Sequence, residues 1–80
     1  MKVLLVDDQK LFVESLKVYM NTRAKDLTVV GVAYDGEDAL EMARQLEPDL
    51  VVMDVRMPGM DGVEASGILA EELPETRVLM

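Results

Sequence analysis

The stretch Leu50-Val51-Val52-Met53-Asp54, running on into Val55-Arg56-Met57-Pro58-Gly59-Met60-Asp61-Gly62, decides the fold. Its four apolar residues show no polar alternation, the pattern of a strand buried on both faces in a helix-covered parallel sheet. The loop behind it combines a Pro with fixed φ, a Gly able to take positive φ, and an Asp placed to cap a helix. Working outward, Val3–Val6, Thr28–Ala33 and Arg77–Met80 read as three more short apolar strands. Between the strands lie three helical stretches. The first is expected to turn Phe12, Leu16, Tyr19 and Met20 inward. The second places Ala39, Leu40, Ala43 and Leu46 on one face, with Asp35-Gly36 ahead of it, Asp38 in the capping-box position and Pro48 behind. The third carries Ala65, Ile68, Leu69 and Leu73, starts behind Asp61 with Glu64 three residues on, and stops before Pro74. Strands separated by one helix each require parallel pairing and crossover connections, so the expected class is α/β, a doubly wound parallel sheet.

Composition narrows the function. Eighty residues make one small domain. Sixteen Asp and Glu against eight Lys and Arg give a net charge of -8, with no basic stripe, which argues against direct nucleic-acid binding. No Cys and no His are present, so disulfides, thiolate sites and imidazole ligands are excluded and any metal must be held by oxygen. The apolar runs are far shorter than the ~18 residues that span a bilayer. Met1-Lys2-Val3-Leu4-Leu5-Val6 meets Asp7-Asp8 too soon for a signal peptide, so a cytoplasmic chain without membrane contact is expected.

In open parallel sheets ligands bind beyond the carboxyl ends of the strands. The first strand runs directly into Asp7 and Asp8, and the third into Asp54. If those strands are neighbours, three acids converge, which is tolerable only with a cation among them or with some of them protonated. Oxygen ligands alone point to Mg²⁺. Asp7 or Asp8 taken singly could instead cap the following helix, and the loop behind Asp54 could be an ordinary strand-to-helix connection. Lys10 and Arg56 could steer an anion or simply be solvated, and Gly31 marks a close backbone approach or a bulge.

Val6-Asp7-Asp8, Asp49-Leu50-Val51-Val52-Met53-Asp54 and Met57-Pro58-Gly59-Met60-Asp61-Gly62 together resemble the receiver domain of two-component response regulators, as does Asp35-Gly36-Glu37-Asp38-Ala39-Leu40. The resemblance covers the whole chain. It implies a flavodoxin-like strand order, 2-1-3-4 for the strands present here, with the first and third side by side. It further implies that Asp54 accepts a phosphoryl group from a sensor histidine kinase, and that Asp7 and Asp8 hold Mg²⁺ with Asp54 and the backbone carbonyl of Arg56. Asp26-Leu27-Thr28-Val29-Val30-Gly31-Val32-Ala33 and Thr76-Arg77-Val78-Leu79-Met80 are similar to receivers of the LuxR or NarL type, which carry a helix-turn-helix domain. DNA would then be a partner only through a domain outside this chain.

The chain departs from the family's pattern after the fourth strand, before the expected Ser or Thr and the fifth strand's Lys. Residues 1–80 therefore read as a receiver truncated after its fourth strand. A chain ending at Met80 is expected to form a homodimer or swapped oligomer, or to fold only partly. Two other functions remain open at this stage. An Asp-dependent phosphatase is disfavoured because Asp7-Asp8-Gln9 stands where a D-x-D pattern would be expected. The other is an inert interaction module.

Overall fold

The computed structural model describes residues 1–23, 25–56 and 59–80. Four strands and three helices alternate: β1 (Lys2–Val6), α1 (Lys10–Arg23), β2 (Thr28–Ala33), α2 (Gly36–Leu46), β3 (Leu50–Met53), α3 (Gly62–Glu72) and β4 (Arg77–Leu79). All pairs are parallel, in the order β2-β1-β3-β4. The expected strands and their order are present. Pro58, in the loop expected behind Asp54, lies outside the described residues, while Gly59 takes the positive φ foreseen for it, at 75°.

Alternation along β1 divides the interior in two. Leu4 and Val6 join Ala33, Val51 and Met53 beneath α2 and α3, against Ala39, Leu40, Ala43, Ala65 and Leu69. Val3 and Leu5 point the other way, to Val13 of α1 and Val29 of β2. Here the structure corrects the expected face of α1. Phe12 and Tyr19 are 55% and 59% exposed, and the buried seam is Val13 with Leu16 and Met20 at its flank. The helix carries apolar residues at 11, 12, 13, 16, 18, 19 and 20. Two overlapping stripes fit that spacing, and only contact with the sheet selects between them.

A second feature lies outside simple alternation. Val29 and Val32 both pack on the α1 side although three residues apart, which a regular strand forbids. The register explains it: Val3 pairs with Val29 but Leu4 pairs with Gly31, so β2 carries one extra residue there. Gly31 serves a close approach as well, since a Cβ on it would lie 2.6 Å from the Met42 methyl and 2.9 Å from Leu46 Cδ1.

Helix ends follow their caps. Asp35 Oδ1 accepts from the Asp38 amide at 2.8 Å, and Asp61 Oδ1 from the Glu64 amide at 2.9 Å. α2 closes on Glu47 in the left-handed region ahead of Pro48. The two helices are strapped together near their carboxyl ends by a two-pronged ion pair, Arg44 Nε to Glu72 Oε1 at 2.6 Å and Nη2 to Oε2 at 2.8 Å. This pairing holds the Glu72 carboxyl below its ordinary range and raises the Arg44 guanidinium.

Two outcomes follow from this packing. On α3, Leu69→Ala removes a buried anchor and should cost about 2–5 kcal/mol. Gly67→Ala on the same helix meets no atom within 4 Å and should gain about 0.5–1 kcal/mol. Urea midpoints at constant slope check both. The Arg44–Glu72 pair makes a pH-dependent contribution. Because the folded Glu72 pKa is depressed, its stabilisation is complete above the ordinary value of 4.5 and is lost as pH falls through the folded value. Glu72→Gln should therefore melt below wild type at neutral pH, with the gap closing in acid and narrowing in high salt because the pair is exposed.

Candidate acidic metal site

β1 and β3 are hydrogen-bonded neighbours, with Val6 opposite Met53. The ladder continues one residue past both strands: the Asp7 amide donates to the Ala33 carbonyl at 3.1 Å and the Asp54 amide to the Val6 carbonyl at 3.0 Å. The backbones of both acids are thereby fixed by the sheet itself. One carboxylate oxygen each from Asp7, Asp8 and Asp54 then falls within 4.8 Å of the others. Asp7 and Asp54 are half-buried and Asp8 is exposed. Asp7 Oδ1 accepts from the Gln9 amide at 2.9 Å, and Asp54 Oδ1 from the Arg56 amide at 3.0 Å. Asp7 and Asp54 are thus each held by one carboxylate oxygen.

No lysine or arginine pairs with these three acids among the described residues. Lys10 lies over the Tyr34 ring, 5.1 Å from its centroid. The Tyr34 hydroxyl in turn donates to the Glu14 carboxylate, which pushes the phenol pKa up because a phenolate would face that charge. Arg56 is exposed and reaches Asp54 through its backbone amide. Unit charges about 5 Å apart repel by roughly 1 kcal/mol in water and several times that at lower effective dielectric. Three convergent acids without a compensating cation, offering oxygen alone, fit a hard divalent ion such as Mg²⁺. Asp7 and Asp54 also line a cleft of about 180 Å³ whose other walls are apolar, among them Phe12, Leu16 and Val52. A wider cleft of about 350 Å³ lies among Glu47, Asp49, Glu72 and Glu75, at the other end of the sheet from the three acids.

The carboxylates of Asp7, Asp8 and Asp54 are thus brought together, and Arg56 adjoins them through its amide, which bonds Asp54. Sequence reasoning missed two residues that shape the site. A Cβ on Gly62 would lie 2.5 Å from the Asp54 carbonyl oxygen and 3.0 Å from Val55 Cα. One on Gly36 would lie 2.5 Å from the Met60 carbonyl oxygen. A signal was present: Asp35-Gly36 and Asp61-Gly62 repeat one dipeptide at two helix starts. The Asp is explained by capping, and the Gly is not.

Comparison with known proteins places this geometry in context. Residues 3–80 match the family model described as the response regulator receiver domain. The chain is 43% identical over 79 residues to the response regulator protein VraR of Staphylococcus saprophyticus, covering 99% of this chain and 37% of that protein. It is 40% identical over 79 residues to the transcriptional regulatory protein LnrK of Bacillus subtilis, again covering 99% of this chain and 36% of that protein. Among solved structures, the signal receiver domain of the putative response regulator NarL from Mycobacterium tuberculosis superposes with a TM-score of 0.84 at 40% identity, over 96% of this chain and 61% of that one. The chain spans little more than a third of the length of these curated relatives.

Repulsion among the acids has a measurable consequence without any ligand. In the presence of a chelator, Asp8→Asn should raise stability, by on the order of 1 kcal/mol at low salt. The gain should shrink as ionic strength increases. Denaturant titrations at two salt concentrations check it.

Proposed function

Since the chain belongs to the receiver domain family of response regulators, we propose that it is a phospho-accepting signalling module in which Asp54 takes a phosphoryl group from a sensor histidine kinase. The observation that carries this reading is the convergence of Asp7, Asp8 and Asp54 within 4.8 Å at the carboxyl edge of the sheet. Asp7, Asp8, Asp54 and the backbone carbonyl of Arg56 would hold Mg²⁺. When bound, the ion would offset the negative charge that otherwise repels an anionic donor from a carboxylate.

The chain's own residues supply position and nucleophile. The Arg56 amide holds Asp54 Oδ1, which leaves Oδ2 to form the new P–O bond while the donor's P–N bond breaks and its electron pair leaves with the imidazole nitrogen. The ladder bond from the Asp54 amide to the Val6 carbonyl prevents the acceptor from backing away. The chain turns over no external substrate and catalyses only its own modification and its reversal. In its parent protein it would work in the cytoplasm, controlling transcription through a DNA-binding domain; that the relative LnrK is a transcriptional regulatory protein supports the transcriptional role. No helix among the described residues is long and apolar enough to cross a membrane.

The test uses the full-length protein with a small acyl-phosphate donor and Mg²⁺, read by intact mass. Wild type should gain one phosphoryl group, Asp54→Asn should gain none, and Asp8→Asn should need more Mg²⁺ for the same yield. Mg²⁺ at fixed ionic strength should also raise the melting temperature, progressively as the free ion exceeds its dissociation constant. Labelling of Asp54→Asn at the wild-type level would sink the assignment.

A further inference from the structure

We propose that Gly36 is a positioning residue for the acidic site: the bare first turn of α2 is the stop against which Met60, at the entrance to α3, is set. The inference rests on reading Asp7, Asp8 and Asp54 as a metal site.

Gly36 is the first residue of α2, directly behind the capping Asp35. It takes no positive φ, and glycine is a poor helix former. Its backbone conformation therefore gives no reason for it, but its neighbour does. A Cβ here would stand 2.5 Å from the Met60 carbonyl oxygen, 3.2 Å from that carbonyl carbon and 3.1 Å from Met60 Cβ. These are backbone and near-backbone atoms, which cannot rotate aside as a side-chain tip can.

Of the two partners, α2 is the one that cannot yield. Ala39, Leu40 and Ala43 are buried in the core, Asp35 holds the Asp38 amide, and Arg44 ties the far end of the helix to Glu72 of α3. Met60 belongs to a connecting segment beside Gly59, around which a Cβ would find open space. A methyl group on residue 36 would therefore displace Met60. The displacement has a short route to the site. Met60 precedes Asp61 and Gly62, and the Gly62 amide donates to the Val55 carbonyl at 3.1 Å. Gly62 itself lies flat against the Asp54 carbonyl. Val55 stands between Asp54, which offers the carboxylate, and Arg56, whose amide holds that carboxylate. Two glycines without clearance thus connect the start of α2 to the orientation of Asp54.

The experiment measures Mg²⁺ binding by the full-length protein by calorimetry, together with the backbone amide resonances of Val55 and Arg56 in the metal-free state. Gly36→Ala should weaken Mg²⁺ binding by about tenfold, the low end for groups that support metal ligands. It should also move the Val55 and Arg56 resonances with no metal present. Gly67→Ala, in open space on α3, should change neither. Met60→Ala slackens the same contact without adding an atom, because the Met60 side chain packs on the core beneath α2 and α3. It should weaken Mg²⁺ binding in the same direction and decides the matter if Gly36→Ala does not fold. A lower melting temperature alone, with wild-type Mg²⁺ affinity and unmoved resonances, makes Gly36 a packing residue and overturns the proposal while leaving the metal site intact. Wild-type Mg²⁺ affinity that is indifferent to Asp54→Asn overturns the metal site, and the proposal with it.

Discussion

Everything at the carboxyl edge depends on β1 being hydrogen-bonded to a strand on each side, and on those ladders running one residue past the strands. The bonds from the Asp7 amide to Ala33 and from the Asp54 amide to Val6 are ordinary sheet bonds in an unusual place, beyond the last apolar residue. They bring the main chain of two acids to the end of the sheet with the rigidity of its interior. Without them the acids would sit on loops, and mutual repulsion would spread them apart. With them, the repulsion is retained as a standing preference for a cation. The same β1 sorts the core, since its alternating residues feed two separate apolar clusters.

Packing against α2 and α3 adds the second constraint. The two helices begin near the site and are tied at their far ends by Arg44 and Glu72, 28 residues apart in sequence. Each starts with a capping Asp and then a Gly, and each Gly meets a backbone carbonyl of the connection between β3 and α3. Side-chain capping fixes where a helix starts. Absence of a side chain at the next position lets another main chain come into contact. Sheet ladder, cap and bare turn together orient Asp54 from three directions, none of which involves a cationic side chain.

Much of this was legible in the sequence, because the signals are local. Strand ends are marked by abrupt acids, and the starts of α2 and α3 by capping Asp residues whose partner amides lie three positions on. The convergence of Asp7, Asp8 and Asp54 needed one further step, the adjacency of β1 and β3, which the family resemblance supplied and the pairing of Val6 with Met53 shows. What was not legible is what tertiary contact decides. Phe12 and Val13 are equally apolar to a periodicity argument, yet one is 55% exposed and the other buried. The contact of Gly36 with Met60 joins residues 24 apart, and no spacing rule reaches that far.

The extra residue in β2 bears on how these molecules behave when crowded. β2 is an outer strand of the described sheet, and outer strands invite a neighbouring chain to extend the sheet. An incoming strand needs evenly spaced donors and acceptors. Near Val30 that spacing is broken by the change of register between Val3 and Leu4, and a bulge also sharpens the local twist. Growth of a fibril-like stack from this side is therefore frustrated by geometry, although four of the strand's six residues, Thr28, Val29, Val30 and Val32, favour such growth.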